Sequence, residues 1–379
     1  NFFSAIHLKR EKIFAFPMQM AMKIKRLAFL AEFVARISAD YSQDILSTIE
    51  PSRDDQEVRL LIVDDLRAVV QSLQSSRGLT VEPFGSFVSN LFTRSGDLDI
   101  SLELRNGLDI LSAERHLEVS LLEDLLKALR MEGGWHKFEL IPHSRVPILK
   151  LESTRQNISC DISINNLKGL IQSKYFLWIS EIDGRFRELI LLVKEWAKAH
   201  AINSPRDGTL SSYSLILLVI FHLQTCEPAI LPPLKEIYPG NIAGEHSGSW
   251  HAVERHIEEI CAQNIATYKS DWRRQRNQCS LSELFISFFT KFSDIRWKAS
   301  TQRICPFTGE WEGRRTNIGC RSRTDALFIE DPFEQAENAA RSVWGRRLMR
   351  ISQVFTTTHC ELVSPNRSRD SIVVAINCP

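Results

Sequence analysis

The spacing of apolar positions changes twice along this chain. Between residues 55 and 74, Val58, Leu61, Ile62, Leu66, Val69 and Leu73 recur at helical spacing, which predicts an amphipathic helix ended by the Ser-Ser-Arg-Gly run at 75–78. A strand at Thr80-Val81 then leads into a Gly85-Ser86 turn. After it the period is two, with Leu98, Ile100 and Leu102 alternating with polar positions. A helix is expected over 112–130, broken by residues 131–135. Strands are expected near 137–142, 146–151 and 156–164, the last two joined as a hairpin by the polar link Glu152 to Arg155. From residue 170 the helical period returns. Phe186 to His200 carries Leu189, Ile190, Val193, Trp196 and Ala197 on one side. Gly208-Thr209 opens another helix with Thr209 as N-cap. Ala252 to Ala266 and Ser280 to Phe289 follow. Residues 299–326 are polar and irregular, with Gly309, Gly313 and Gly319. Strands interspersed with helices, then helices alone, predict an α+β fold.

The polar half of the alternation holds the chemistry. Side chains at i and i+2 of a strand share a face, so Asp97 and Asp99 point together while their apolar neighbours point into a core. A third carboxylate, Asp161, lies in a run where Ile158, Ile162 and Ile164 face one way and Asp161 and Ser163 the other. The predicted hairpin brings it beside the first two. An Asp-x-Asp by itself fits a solvated strand face, and a Gly-Ser by itself a turn. Together they describe three hard oxygen ligands for a cation pair, behind a turn whose backbone N–H groups suit phosphate oxygens. That combination points to metal-assisted nucleotidyl transfer.

These residues resemble a known superfamily. Val81 to Asn90, Gly96 to Asp99, Cys160 to Ser163, Gly208 to Leu215 and Phe328 to Glu334 are similar to motifs of the DNA polymerase β-like nucleotidyltransferases. Within them the chain resembles the terminal uridylyltransferases and noncanonical poly(A) polymerases, most of all the plant enzymes that uridylate small RNAs. The resemblance covers about residues 50 to 345. It implies a polymerase β-like catalytic domain over 41–168 and a mainly helical, poly(A) polymerase-associated domain over 169–350, flanked by an N-terminal extension (1–40) and a C-terminal tail (351–379). It implies Mg²⁺ or Mn²⁺ on Asp97, Asp99 and Asp161, an RNA 3′ end and UTP or ATP as substrates, RNA-silencing protein partners, and residence in the nucleus, the cytoplasm or both.

The resemblance also supplies nucleotide contacts. Gly85 and Ser86 would meet phosphates. Lys194 and Lys198, four apart on one helix face, fit a solvated basic edge when taken alone; the resemblance gives them the triphosphate. Tyr213 would stack on the base and Ser212 reach a phosphate. Gln172 stands where relatives have an Asn at the ribose, with Ser173 beside it. Asp331 matches an acidic residue near the base. Glu337 replaces a His of some uridylyltransferases. A carboxylate accepts equally from uracil N3–H or the adenine amino group, so this position leaves UTP and ATP both open. A poly(A) polymerase and a non-catalytic RNA-binding relative remain as alternatives.

Composition narrows this further. A chain of 379 residues with 44% hydrophobic positions is long for one core. Its net charge of +1 argues against coating long nucleic acid, which leaves local basic clusters. Those beside Trp272 (Arg273, Arg274, Arg276) and Trp344 (Arg341, Arg346, Arg347, Arg350) and the run Arg314, Arg315, Arg321, Arg323 suit single-stranded RNA, though each alone fits a solvated face. Eight cysteines without a C-x-x-C pair predict free thiols in a reducing compartment. His246, His251 and His256 recur at a spacing that shares no helix face, so no zinc site is expected. The apolar run Ser214–Leu223 is too short to cross a bilayer, and no membrane association is expected. Residue 1 is not Met, which reads as a fragment, and the basic residues before 27 read as a solvated extension.

Overall fold

The computed structural model describes residues 43, 45–73, 78–104, 114–240, 250–314 and 325–363. The expected N-terminal extension, His246, Arg315, Arg321, Arg323 and residues 364–379 lie outside them.

The first body is a sheet with helices on one face. Helix α1 (Arg53–Ser72) begins at a capping box: Ser52 accepts the Asp55 N–H, and the Asp55 carboxylate accepts the Ser52 N–H. Then come β1 (Leu79–Phe84), the short α2 (Gly85–Val88), β2 (Leu98–Leu104), α3 (Glu114–Glu132), β3 (Trp135–Ile141), β4 (Ile148–Ser153) and β5 (Ser159–Ile164). The sheet order is β1-β2-β5-β4-β3. The predicted β4–β5 hairpin is present and antiparallel. The β2–β5 pair is parallel. Leu98, Ile100, Leu102, Leu149, Leu151, Ile162 and Ile164 pack under α1 and α3 in one buried cluster, each contributing roughly 1.5–3 kcal/mol. The opposite face is left for Asp99, Asp161 and the second body.

That second body is mainly helical: α4 (Leu167–Ser180), α5 (Arg185–Ala199), α6 (Ser212–Gln224), α7 (Leu234–Ile237), α8 (Trp250–Ser270), α9 (Leu281–Phe292), α10 (Ile295–Thr301) and α11 (Gly345–Val363), with a two-stranded hairpin, β6 (Gln302–Cys305) and β7 (Glu310–Gly313). In α6 every residue from Ser214 to Gln224 is buried, so it is a central helix. Among the described residues no helix is long and apolar enough to cross a membrane. The six described cysteines are free.

Four expectations need correction. Thr209 does not cap α6. A 3₁₀ turn at Pro205–Asp207 folds its hydroxyl back onto Ser204, and Ser211 accepts the Ser214 N–H instead. Part of the stretch read as irregular, 302–313, is the β6–β7 hairpin, held because Arg303 bridges Glu312 and Glu330. The boundary at 350 falls inside α11, whose Leu348, Ile351, Phe355, Thr358 and Leu362 are buried and whose Thr358 Oγ accepts from Trp196 at 3.0 Å. Within α1, Leu61 is exposed, and a fully buried Arg59 faces inward instead.

Candidate functional site

Strand register brings the three aspartates to one face of the sheet. Asp99 on β2 is the direct parallel partner of Asp161 on β5, and directly paired residues project from the same face. Asp97 lies one step before β2, two residues from Asp99. Arg59 holds that step from beneath, donating to the carbonyls of Arg94 (3.0 Å) and Gly96 (2.6 Å) while its guanidinium lies 4.7 Å from the Phe92 ring centroid.

The expected Gly-Ser turn is the first turn of α2, closed by the Ser89 N–H donating to the Gly85 carbonyl. Gly85 sits at φ +70°, and a Cβ there would lie 2.0 Å from an Asp99 carboxylate oxygen. Only glycine fits on both counts. Its N–H is not free for phosphate as expected, because it donates to Ser173 Oγ at 2.6 Å.

Electrostatically the site is crowded with like charge. Burial, then the Asp161 charge, pushes the Asp97 carboxyl up. The same two causes, with Asp97 added, raise Asp99 to about 7. Lys150 on β4 pairs with Asp161 and offsets part of this. Three neighbouring carboxylates, their charge partly offset by Lys150, Lys194 and Lys198, make an all-oxygen donor set of the kind that suits a hard divalent cation.

The helical body forms the opposite wall. A cleft of about 360 Å³ is lined by Gly85, Ser86, Asp97, Asp99, Gln172, Ser173, Lys194, Lys198, Ser212 and Tyr213. The buried Lys194 ammonium donates to the Leu91 carbonyl at 2.8 Å; burial, then Lys198, lowers it to about 8. Lys198 reaches Thr93 Oγ1, Ser95 Oγ and Glu195. Ser212 donates to Asn203. The Ser173 hydroxyl is committed, accepting from Gly85 and donating to Gly169.

The far end of the cleft is paired throughout. Gln172 donates to Tyr213 Oη (3.3 Å), which donates to Asp331 (3.0 Å); Lys168 donates to Asp331 (2.8 Å) and Glu334 (2.7 Å), and Arg145 closes the chain on Glu334. Asp331 thus stands behind Tyr213 rather than lining the cleft. Glu337, expected at the base, is exposed and faces Arg145 and Arg341 at 3.7 and 3.9 Å. The cause is the turn at Ala336 (φ +78°) together with the Glu337 carbonyl accepting the Asp331 N–H.

Among the described residues the ligand atoms that all lie within 4.8 Å of one another are those of Cys305, Glu312 and Glu330, whereas those of Asp97, Asp99 and Asp161 do not draw that close. Arg303 already bridges both carboxylates, and the thiol donates to Glu330. The group reads as a structural brace behind the 329–338 segment.

Comparison with known proteins agrees with this geometry. Residues 39–181 match the central palm domain of mitochondrial-like poly(A) RNA polymerase. Over 331 residues, 87% of the chain, it is 55% identical to protein HESO1 of Arabidopsis thaliana, spanning 65% of that protein's length. It is 28% identical to human poly(A) RNA polymerase GLD2 over 262 residues, covering 68% of the chain and 51% of GLD2. The chain is thus similar to both relatives over most of its own length and spans about half to two thirds of theirs. Its fold is that of a cytoplasmic RNA terminal U-transferase (TM-score 0.68, 23% identity, 90% of this chain and 98% of that one) and of mtPAP in complex with UTP (TM-score 0.72, 18% identity, 92% and 75%).

Three residues of this chain escaped the sequence reading. Arg59 sits on a helix face where an arginine reads as solvated. Lys150 was placed in a strand, yet alternation only says that it faces away from Leu149 and Leu151. Lys168 pairs with acids more than 160 positions away, and no local pattern encodes that.

Proposed function

We propose that this chain is a template-independent RNA 3′-terminal uridylyltransferase that adds UMP from UTP. The observation supporting this reading is the Asp99–Asp161 register, beside a cleft that Asp97 and Asp99 line together with Lys194, Lys198 and Tyr213. Asp97, Asp99 and Asp161 would hold Mg²⁺ or Mn²⁺, which when bound supplies charge neutralisation at the α-phosphate and a more acidic RNA 3′-hydroxyl.

The chain's own groups do the rest. Asp161 accepts the proton of the attacking hydroxyl. Lys194 and Lys198 bind and orient the β- and γ-phosphates of the pyrophosphate that leaves. Tyr213 stacks on the base, and its bond to Asp331 fixes the ring plane. Gln172, bonded to the same hydroxyl, is placed for the ribose. Ser173 is a positioning residue that ties α4 to Gly85, and Asp331 positions Tyr213.

UTP is favoured by the resemblance of the motifs at 81–90, 96–99, 160–163, 208–215 and 328–334 to plant uridylyltransferases, beside the 55% identity to protein HESO1 of Arabidopsis thaliana. Small-RNA substrates, RNA-silencing partners and residence in nucleus or cytoplasm belong to the same reading. ATP is the second reading, favoured by the GLD2 similarity. One RNA oligonucleotide incubated separately with each of the four NTPs tests this. UTP-dependent extension is expected. Extension by ATP alone would establish the second reading, and no extension with Mg²⁺ or Mn²⁺ would refute both.

A further inference from the structure

The register that joins the aspartates continues past them. Asp161 pairs with Lys150 on β4, and Lys150 with Glu139 on β3. Asp99, Asp161, Lys150 and Glu139 therefore form one row on the open face of the sheet. With strands roughly 4.8 Å apart, the row ends about 10 Å beyond Asp161. There Arg206, in the turn before α6, crosses from the helical body and donates to Glu139 at 2.8 Å. Two residues on, Gly208 lies at φ +78°, and a Cβ there would come within 2.9 Å of the Trp344 ring. The indole rests on this glycine floor yet is 61% exposed. The Arg206 side chain is 80% exposed.

The row starts where an attacking 3′-hydroxyl has to stand. It ends at an arginine held only by a surface carboxylate, a weak contact that a phosphate can displace, and at an aromatic face with solvent above it. Cations spaced along a groove and ending at a stacking surface are what single-stranded nucleic acid requires.

We propose that this row is the landing track for the 3′ segment of single-stranded RNA. Lys150 and Arg206 take backbone phosphates, and Trp344 stacks on a base upstream of the reacting end. The inference rests on the RNA-tailing reading and adds the course of the strand.

The test is the dissociation constant of a labelled single-stranded RNA of about fifteen nucleotides, measured by fluorescence anisotropy without nucleotide. Trp344→Ala and Arg206→Ala are each expected to weaken binding about tenfold, and Trp344→Phe to restore most of it. Glu139→Gln, which releases Arg206, is expected to tighten binding. If Arg206–Glu139 were merely a structural clasp, Arg206→Ala and Glu139→Gln would act in the same direction. Unchanged affinity in the two alanine variants, or weaker binding in Glu139→Gln, overturns the track. The readout needs no turnover, so failure of the tailing reading shows separately, as bound RNA that no NTP extends.

Discussion

The two ends of the cleft are built on opposite electrostatic principles. At the sheet end, Asp97, Asp99 and Asp161 are neighbours, and burial first, then the Asp161 and Asp97 charges, hold Asp99 near 7. At the helical end, every charged group has a partner: Lys168 serves two acids, Glu334 two cations, and Asp331 accepts from Lys168, Tyr213 and the Phe333 N–H. The contrast teaches that the sheet end is open to completion by what binds there, whereas the helical end is already hydrogen-bonded before anything binds. Conserving charge in a substitution should therefore matter most at the first, and conserving hydrogen-bond geometry at the second.

The largest effect should come from breaking the sheet end. Asp97→Ala or Asp161→Ala is expected to lower kcat/KM for RNA extension by about 10³ or more, with a circular dichroism spectrum matching wild type. Next is the support beneath it. Arg59→Leu strands the Arg94 and Gly96 carbonyls and should cost about 3 kcal/mol in urea unfolding.

The helical end gives a smaller and different response. Lys168→Met leaves Asp331 with one partner fewer and Glu334 with Arg145 alone. Discrimination between UTP and ATP, read as the ratio of their kcat/KM values, should fall several-fold, about 1 kcal/mol, while overall turnover falls less.

Titration sharpens the contrast. Lys194 is lowered to about 8, and in the proposed reaction it binds triphosphate as the ammonium. Nucleotide affinity should weaken as pH rises from 7 to 9, and Lys194→Met should flatten that slope.

The smallest effect is on stability. The Asp99 carboxyl ordinarily titrates near 3.8 and in the folded chain near 7, so the folded state holds its proton more tightly. The metal-free protein should lose stability as pH climbs through that window, and Asp99→Asn should remove this loss, raising the unfolding midpoint at pH 8 by about 2 °C.

How far the residues announced this arrangement differs between the same two ends. The aspartates were legible because strand alternation is local: Leu98 and Ile100 inward force Asp97 and Asp99 outward, and the short polar link after Leu151 returns the chain beside itself. That β5 would lie against β2 in parallel is a pairing across some 60 positions, which alternation permits but does not specify. Arg59 and Lys150 obeyed their periods and were still missed, because period assigns a face and not a partner. Helix α11 was hidden since its inward face includes Thr358, in a Thr-rich stretch that reads as polar. Glu337 went astray for a backbone reason, the left-handed turn at Ala336 that swings its side chain to Arg145 and Arg341. The pairing of Lys168 with Asp331 and Glu334 joins the first helix of the second body to a segment more than 160 positions away.

The central claim is that Asp97, Asp99 and Asp161 form one cation-binding site. Its most direct test is the thermal unfolding midpoint as Mn²⁺ is added, for wild type and for Asp161→Asn, since a ligand that binds only the folded state raises the midpoint in proportion to its occupancy. The account predicts a saturable rise in wild type and little or none in the variant. An equal rise in both, or none in wild type, would contradict it.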